Sequence, residues 1–120
     1  MTSGIVVFGH GSRVESANQA VRDVAARLAQ AGPFDHVEAA FLELGTPDLE
    51  GAVVRLAGRG IGRIIVIPYF LTLGTHLERD LPAIMDRISQ VHAGLELIAT
   101  PPLDGHPALL EILLDRARGS

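Results

Sequence analysis

Gly4-Ile5-Val6-Val7-Phe8-Gly9-His10-Gly11-Ser12-Arg13 decides the fold. An apolar run rich in β-branched residues ends in a histidine flanked by two glycines. A second segment repeats the pattern: Arg63-Ile64-Ile65-Val66-Ile67-Pro68 runs through Tyr69-Phe70-Leu71-Thr72-Leu73-Gly74-Thr75 to His76. Continuous apolar strands of this kind belong to parallel sheets covered by helices on both faces. The carboxyl ends of parallel strands share one edge, and ligands bind there. His10 and His76 are therefore expected at one cleft. Glu43, at the end of Val37-Glu38-Ala39-Ala40-Phe41-Leu42, is the third candidate at that edge. Two imidazoles and a carboxylate make a plausible site for a divalent transition metal.

The rest of the chain alternates between the two periodicities. Residues 4–9 read as the first strand. Residues 15–31 read as a helix with Ala17, Val21, Val24, Ala25 and Leu28 on one face, ended by Gly32 in a left-handed cap. Residues 36–43 form a second strand. Thr46 and Pro47 then suit the cap and first position of a second helix, striped by Leu49, Ala52, Val53 and Leu56 and broken by Gly58, Gly60 and Gly62. After the third strand, 63–68, Pro82 fits poorly inside a helix. Asp80 is therefore the expected cap, with His76 left on the preceding loop and the helix running to about Val91. A fourth strand, 95–99, leads through Pro101-Pro102-Leu103-Asp104-Gly105 to a last helix from His106-Pro107 to about Arg118.

This βαβαβαβα order with short connections predicts one α/β domain over residues 1–120: a doubly wound, four-stranded parallel sheet, order 2-1-3-4, flanked by helices. Its switch point lies between the first and third strands, the two that lead to His10 and His76.

Composition removes whole classes of function. There is no cysteine, hence no disulfide, thiolate nucleophile or iron–sulfur site. All ten basic residues are arginine, so no Schiff-base or Walker lysine exists. A net charge of −4 without a basic run argues against nucleic acid. Mean hydropathy is +0.30, high enough to raise the question of a membrane. The longest apolar run, Ile64 to Leu71, contains Pro68 and falls far short of the roughly 20 residues a spanning helix needs. No signal peptide is read, so the expected location is the cytoplasm. So apolar a short chain suggests a partner subunit over part of its surface.

Each candidate also has a plainer reading. His10 in a glycine turn at the switch point favours function, and His76 gains from facing it. His36 and His92 fall at the opposite edge, and His106 reads as a helix-start residue before Pro107. Glu43 is costly if buried without a partner, and at a strand end it can also simply face solvent. Gly9 to Arg13 can hold an anion at a helix start. Arg13 and Arg79 can meet anionic groups or be solvated surface arginines. Tyr69, Phe70, Leu71 and Leu73 form either a platform for a flat ligand or a subunit contact.

Together Gly9-His10-Gly11-Ser12-Arg13, Ala40-Phe41-Leu42-Glu43, Pro68-Tyr69-Phe70-Leu71 with Gly74-Thr75-His76, Asp80-Leu81-Pro82 and Pro101-Pro102-Leu103-Asp104-Gly105-His106-Pro107 resemble the sirohydrochlorin chelatases. The resemblance covers nearly the whole chain. It implies a lyase that inserts Co²⁺, Fe²⁺ or Ni²⁺ into sirohydrochlorin on a route to cobalamin, siroheme or a related tetrapyrrole. It implies no permanent cofactor, the metal being a substrate. The family's two active-site histidines fall on His10 and His76, and its metal-binding glutamate on Glu43. Most members have two lobes. This chain resembles the single-lobe, short forms, which work as homodimers. The last helix, with Leu109, Leu110, Ile112, Leu113 and Leu114, is apolar around more than one stripe and fits that expectation.

In this reading His10 and His76 act as metal ligands and proton acceptors. Glu43 is a ligand or proton relay. Ser12, Arg13, Tyr69, Phe70, Leu71 and Thr75 contact the macrocycle. Two alternatives stand beside it. One is a metal or tetrapyrrole carrier without turnover. The other is a histidine phosphatase, which Gly9 disfavours because that family has arginine directly before its histidine.

Overall fold

The computed structural model describes residues 2–119. Strand β1 (Ser3–Gly9) is followed by helix α1 (Glu15–Ala31), β2 (Val37–Phe41), α2 (Leu49–Ala57), β3 (Arg63–Pro68), α3 (Gly74–Val91), β4 (Glu96–Ala99) and α4 (Pro107–Arg118). The sheet order is β2-β1-β3-β4 and every pairing is parallel. The expected α/β architecture and strand order are therefore observed. Among the described residues no helix is long and apolar enough to cross a membrane.

The pleat divides the sheet residues between two layers. Val6 and Phe8 of β1, Ala40 of β2 and Ile64 and Val66 of β3 join Leu49, Ala52, Val53 and Leu56 of α2 and Leu77, Leu81, Met85 and Ile88 of α3 in one core. Fully burying each large apolar side chain here stabilises the fold by about 1.5–3 kcal/mol. On the opposite face α1 packs on β1 and β2. β1, the central strand, is buried from Gly4 to Gly9.

Four element ends depart from expectation. Helix α2 is capped by Asp48, not Thr46, and Pro47 precedes it. The Asp48 carboxylate accepts the Gly51 N–H at 2.8 Å. Asp ranks above Thr as a cap, and the buried stripe begins only at Leu49. Helix α3 begins at Gly74 rather than after Asp80, so His76 lies in its first turn and Pro82 inside it. The apolar stripe decides this start. Leu77 and Leu81 are buried, and burying that face outweighs a proline whose exposed ring costs one backbone hydrogen bond. Gly32 caps α1 in an extended conformation, φ −118°, not a left-handed one, and its N–H donates to the Leu28 carbonyl. β2 stops at Phe41, so Glu43 lies just beyond the strand rather than within it.

Candidate active site

His10 leaves the end of β1 exposed at the carboxyl edge of the sheet. The next two residues of the β2 exit stay paired with it: Leu42 N–H donates to the Gly9 carbonyl at 2.9 Å and Glu43 N–H to the His10 carbonyl at 3.1 Å. The side chains follow, and His10 Nε2 stands 3.8 Å from Glu43 Oε1. Both side chains are more than half exposed, so the pair is open to a ligand above the sheet. The neutral imidazole offers one lone pair and the carboxylate two oxygens, a donor set suited to a first-row divalent ion.

Gly11 is what lets the two exits meet. It adopts φ +92°, and a Cβ there would lie 1.6 Å from the Glu43 carbonyl oxygen. Only glycine fits a backbone so close and so turned.

Asn18, which pattern reading passed over, holds the same two loops. It is the one buried polar side chain among the described residues. Its Oδ1 accepts the Ser12 N–H at 2.9 Å, while its Nδ2 donates to the Ser12 carbonyl at 2.9 Å and the Leu44 carbonyl at 3.0 Å. Leu44 takes a left-handed conformation, φ 59°, which presents that carbonyl. The available signal was a polar residue at the helical spacing of Val21, Ala25 and Leu28.

Phe70 forms the floor. Its ring meets His10 edge-on at 6.4 Å between centroids and packs on Phe8 at 6.1 Å. Tyr69 N–H donates to the Phe8 carbonyl at 2.7 Å, and the 101–104 loop is tied on by Leu103 and Asp104 N–H groups donating to the Phe70 and Leu71 carbonyls. Tyr69 (39%) and Leu71 (64%) remain exposed, whereas Phe70 and Leu73 pack against the core. Tyr69 and Leu71 flank Phe70 in sequence and stay exposed, so the segment whose Phe70 meets His10 offers apolar surface to a ligand.

The remaining candidates are placed less tightly. His76 and Thr75 are exposed in the first turn of α3, on the loop-bearing edge that carries His10. Among the described residues no three His, Cys, Asp or Glu side chains converge into a metal-holding group. The expected trio is thus a close His10–Glu43 pair with His76 apart from it. The Ser12 hydroxyl accepts the Val14 N–H at 3.0 Å, so it shapes the loop. Arg13 is exposed. Arg79 reaches Asp80 at 3.3 Å. The start of α1 carries its own anion: Glu15 pairs with Arg22. The Arg22 guanidinium, then the Asn18 amide, hold the Glu15 carboxyl below its ordinary value. That weakens the anion-loop reading of the α1 start. His106 caps α4, its Nδ1 accepting the Ala108 N–H at 3.0 Å, and His92 ends α3 against Glu50 at 3.2 Å; both have structural work.

The CbiX family model matches residues 4–120. This chain belongs to the CbiX family. Among CbiX relatives, a sirohydrochlorin cobaltochelatase of Methanopyrus kandleri is 30% identical over 134 residues, spanning 95% of this chain and 94% of its own. A chloroplastic sirohydrochlorin ferrochelatase of Arabidopsis thaliana is 29% identical over 113 residues, spanning 94% of this chain but 50% of its own. The fold superposes on a cobalamin (vitamin B12) biosynthesis CbiX protein of Marinobacter aquaeolei with a TM-score of 0.86, at 26% identity, covering 98% and 95% of the two chains. It also superposes on the sirohydrochlorin chelatase SirB of Bacillus subtilis subspecies spizizenii, solved with cobalt. There the TM-score is 0.91 at 24% identity, covering 99% of this chain and 51% of that one.

Proposed function

We propose that this CbiX protein is a metal chelatase that inserts a divalent ion, Co²⁺, Fe²⁺ or Ni²⁺, into sirohydrochlorin. The observation that carries the reading is the open His10–Glu43 pair, 3.8 Å apart at the switch point of the sheet, with the Phe70 ring edge-on to His10. The relatives named as cobaltochelatases and a ferrochelatase support the macrocycle and the class of ion. They do not agree on one metal, and imidazole with carboxylate ranks these ions only weakly.

The reaction exchanges two pyrrole protons for one M²⁺, which gains four ring nitrogens as ligands. A site with two protein donors holds the ion long enough to shed water and then releases it. His10 takes a pyrrole proton in this reading, since imidazole as a class exchanges protons near working pH. Glu43 lowers the effective charge of the arriving ion and compensates a protonated His10. His76, from the first turn of α3, serves as second proton acceptor or as a ligand during transfer. Tyr69, Phe70 and Leu71 receive the ring face. Arg13, Ser12 and Thr75 meet its carboxylates. No permanent cofactor is needed, because the metal is a substrate. The working unit we propose is a homodimer with its clefts facing each other.

Anaerobic turnover followed by the absorbance change of sirohydrochlorin, with each of the three metals, tests the proposal. Metal-dependent conversion above the uncatalysed rate supports it. Tight binding of ring or metal without turnover would instead make the protein a carrier.

A further inference from the structure

Leu44 is held in a conformation that leucine disfavours. Its φ is 59°, in the region where a Cβ crowds the backbone and which glycine enters freely. Elsewhere the chain uses glycine for this purpose. Gly11, Gly60, Gly74, Gly94 and Gly105 take the other positive-φ positions among the described residues. Leu44 is the exception, and it follows Glu43 directly.

The conformation is imposed from both sides. The Glu43 N–H donates to the His10 carbonyl at 3.1 Å. The Leu44 carbonyl accepts the Asn18 amide at 3.0 Å. Gly45 lies so close to Phe41 that a Cβ there would come within 2.9 Å of the ring. These anchors use backbone groups and neighbouring residues, so none requires a side chain at residue 44. The core does not require it either, since Leu44 is 52% exposed and stands outside the packed apolar cluster. A single exposed leucine is ordinary. One that also strains the backbone beside the His10–Glu43 pair is not accounted for by folding. Strain of this kind gathers at ligand-binding positions.

We propose that Leu44 is a ring-contact residue, whose exposed side chain packs on the bound macrocycle on the β2 flank of His10. The sheet order β2-β1-β3 puts the exits of β2 and β3 on either side of the β1 exit. Adjacent strands lie about 4.8 Å apart, so the two outer exits are separated by about 10 Å at the sheet, the scale of a tetrapyrrole core. Phe70, from the β3 exit, meets His10 edge-on. Leu44 supplies apolar surface on the other flank, next in sequence to the carboxylate that stands 3.8 Å from His10. A broad flat ring reaches both flanks at once, whereas a metal ion needs only the donor pair. Leu44 therefore acts on the ring and not on the ion. The assignment rests on the chelatase reading above and names a residue that selects the ring.

Leu44→Gly removes the strain and the side chain together. Leu44→Asn removes the apolar surface with a residue that tolerates the left-handed region. Leu44→Met keeps the apolar bulk. Melting temperature, Co²⁺ affinity by calorimetry and KM for sirohydrochlorin are measured for each and for wild type. Leu44→Gly should melt a few degrees higher than wild type, because the strain is relieved. KM should rise roughly fivefold to tenfold in Leu44→Gly and Leu44→Asn, the scale of one apolar side chain partly buried by a ligand. Leu44→Met should keep a KM near wild type. Co²⁺ affinity should hold in all three, since Glu43 and its backbone anchor remain. A residue that only shaped the loop would move Co²⁺ affinity and KM together, and that result overturns the proposal. A lower melting temperature in Leu44→Gly also overturns it, because the side chain would then be holding the fold. Wild-type KM in both Leu44→Gly and Leu44→Asn overturns it and leaves the chelatase reading intact. If wild type neither binds nor converts sirohydrochlorin, the chelatase reading fails and this assignment fails with it.

Discussion

His10 and Glu43 are joined twice: the Glu43 N–H donates to the His10 carbonyl at 3.1 Å, and His10 Nε2 lies 3.8 Å from Glu43 Oε1. The backbone bond fixes the register of the two strand exits and so sets the separation of the side chains. Anything that moves one exit relative to the other disturbs the donor pair without touching either residue.

Gly11→Ala moves an exit directly. The added Cβ overlaps the Glu43 carbonyl, and φ is positive. A strained residue of this kind costs about 1–3 kcal/mol before the overlap is counted. Thermal melting should show a fall of several degrees, and the affinity of the remaining folded protein for Co²⁺ should fall with it. A variant with wild-type melting and metal binding would show that the close approach does not matter.

Asn18 tests the same coupling from beneath. Asn18→Asp keeps the size but removes the two N–H donors to Ser12 and Leu44. Buried acceptors left unmatched cost about 1–3 kcal/mol. Urea denaturation should report a loss of that order, and turnover should drop although Asn18 touches no substrate. Stability within 0.5 kcal/mol of wild type, a spread ordinary for surface changes, would contradict the role.

Glu15 carries the one clear pH signature. Arg22 and then Asn18 hold its carboxyl below the ordinary glutamate value. A depressed folded-state value stabilises the protein above the unfolded pKa and is lost as pH falls through the folded one. Wild type should therefore be slightly more stable than Glu15→Gln at neutral pH, with the gap closing below about pH 4.5. Melting temperatures across pH 3–7 would show it; a gap that widens in acid would reverse the sign.

Tyr69 and Leu71 separate ring binding from metal binding. Tyr69→Ala and Leu71→Ala should each weaken sirohydrochlorin affinity roughly tenfold, since an aromatic contact and its buried area are worth about 1 kcal/mol or more. Co²⁺ affinity of the free protein should not change. Unchanged ring affinity in both would move the macrocycle elsewhere.

The order of the sheet was readable because three short crossovers admit few topologies, and β1 and β3 carry long apolar runs. Topology also led from sequence to the neighbouring of His10 and Glu43. Other features depended on competition that local patterns do not resolve. Pro82 argued for a late start to α3, but the Leu77–Leu81 stripe won. Thr46-Pro47 looked like a helix start, but Asp48 offered a better cap beside Leu49. The closeness of Gly11 to the Glu43 carbonyl exists only once both loops are folded, and so does the clamp made by Asn18. His76 was placed at the right edge on a loop, whereas it sits on a helix turn outside the His10–Glu43 pair.

The central claim is that this pair delivers the metal. The most direct measurement compares wild type with His10→Ala and Glu43→Gln, recording the initial rate of Co²⁺ insertion into sirohydrochlorin and, separately, Co²⁺ affinity by calorimetry. The account predicts that His10→Ala lowers the rate roughly 100-fold or more, the scale of a lost proton acceptor. Glu43→Gln should weaken Co²⁺ binding while sirohydrochlorin affinity and melting temperature stay near wild type. Full turnover in His10→Ala, with Co²⁺ affinity unchanged in both variants, would contradict it.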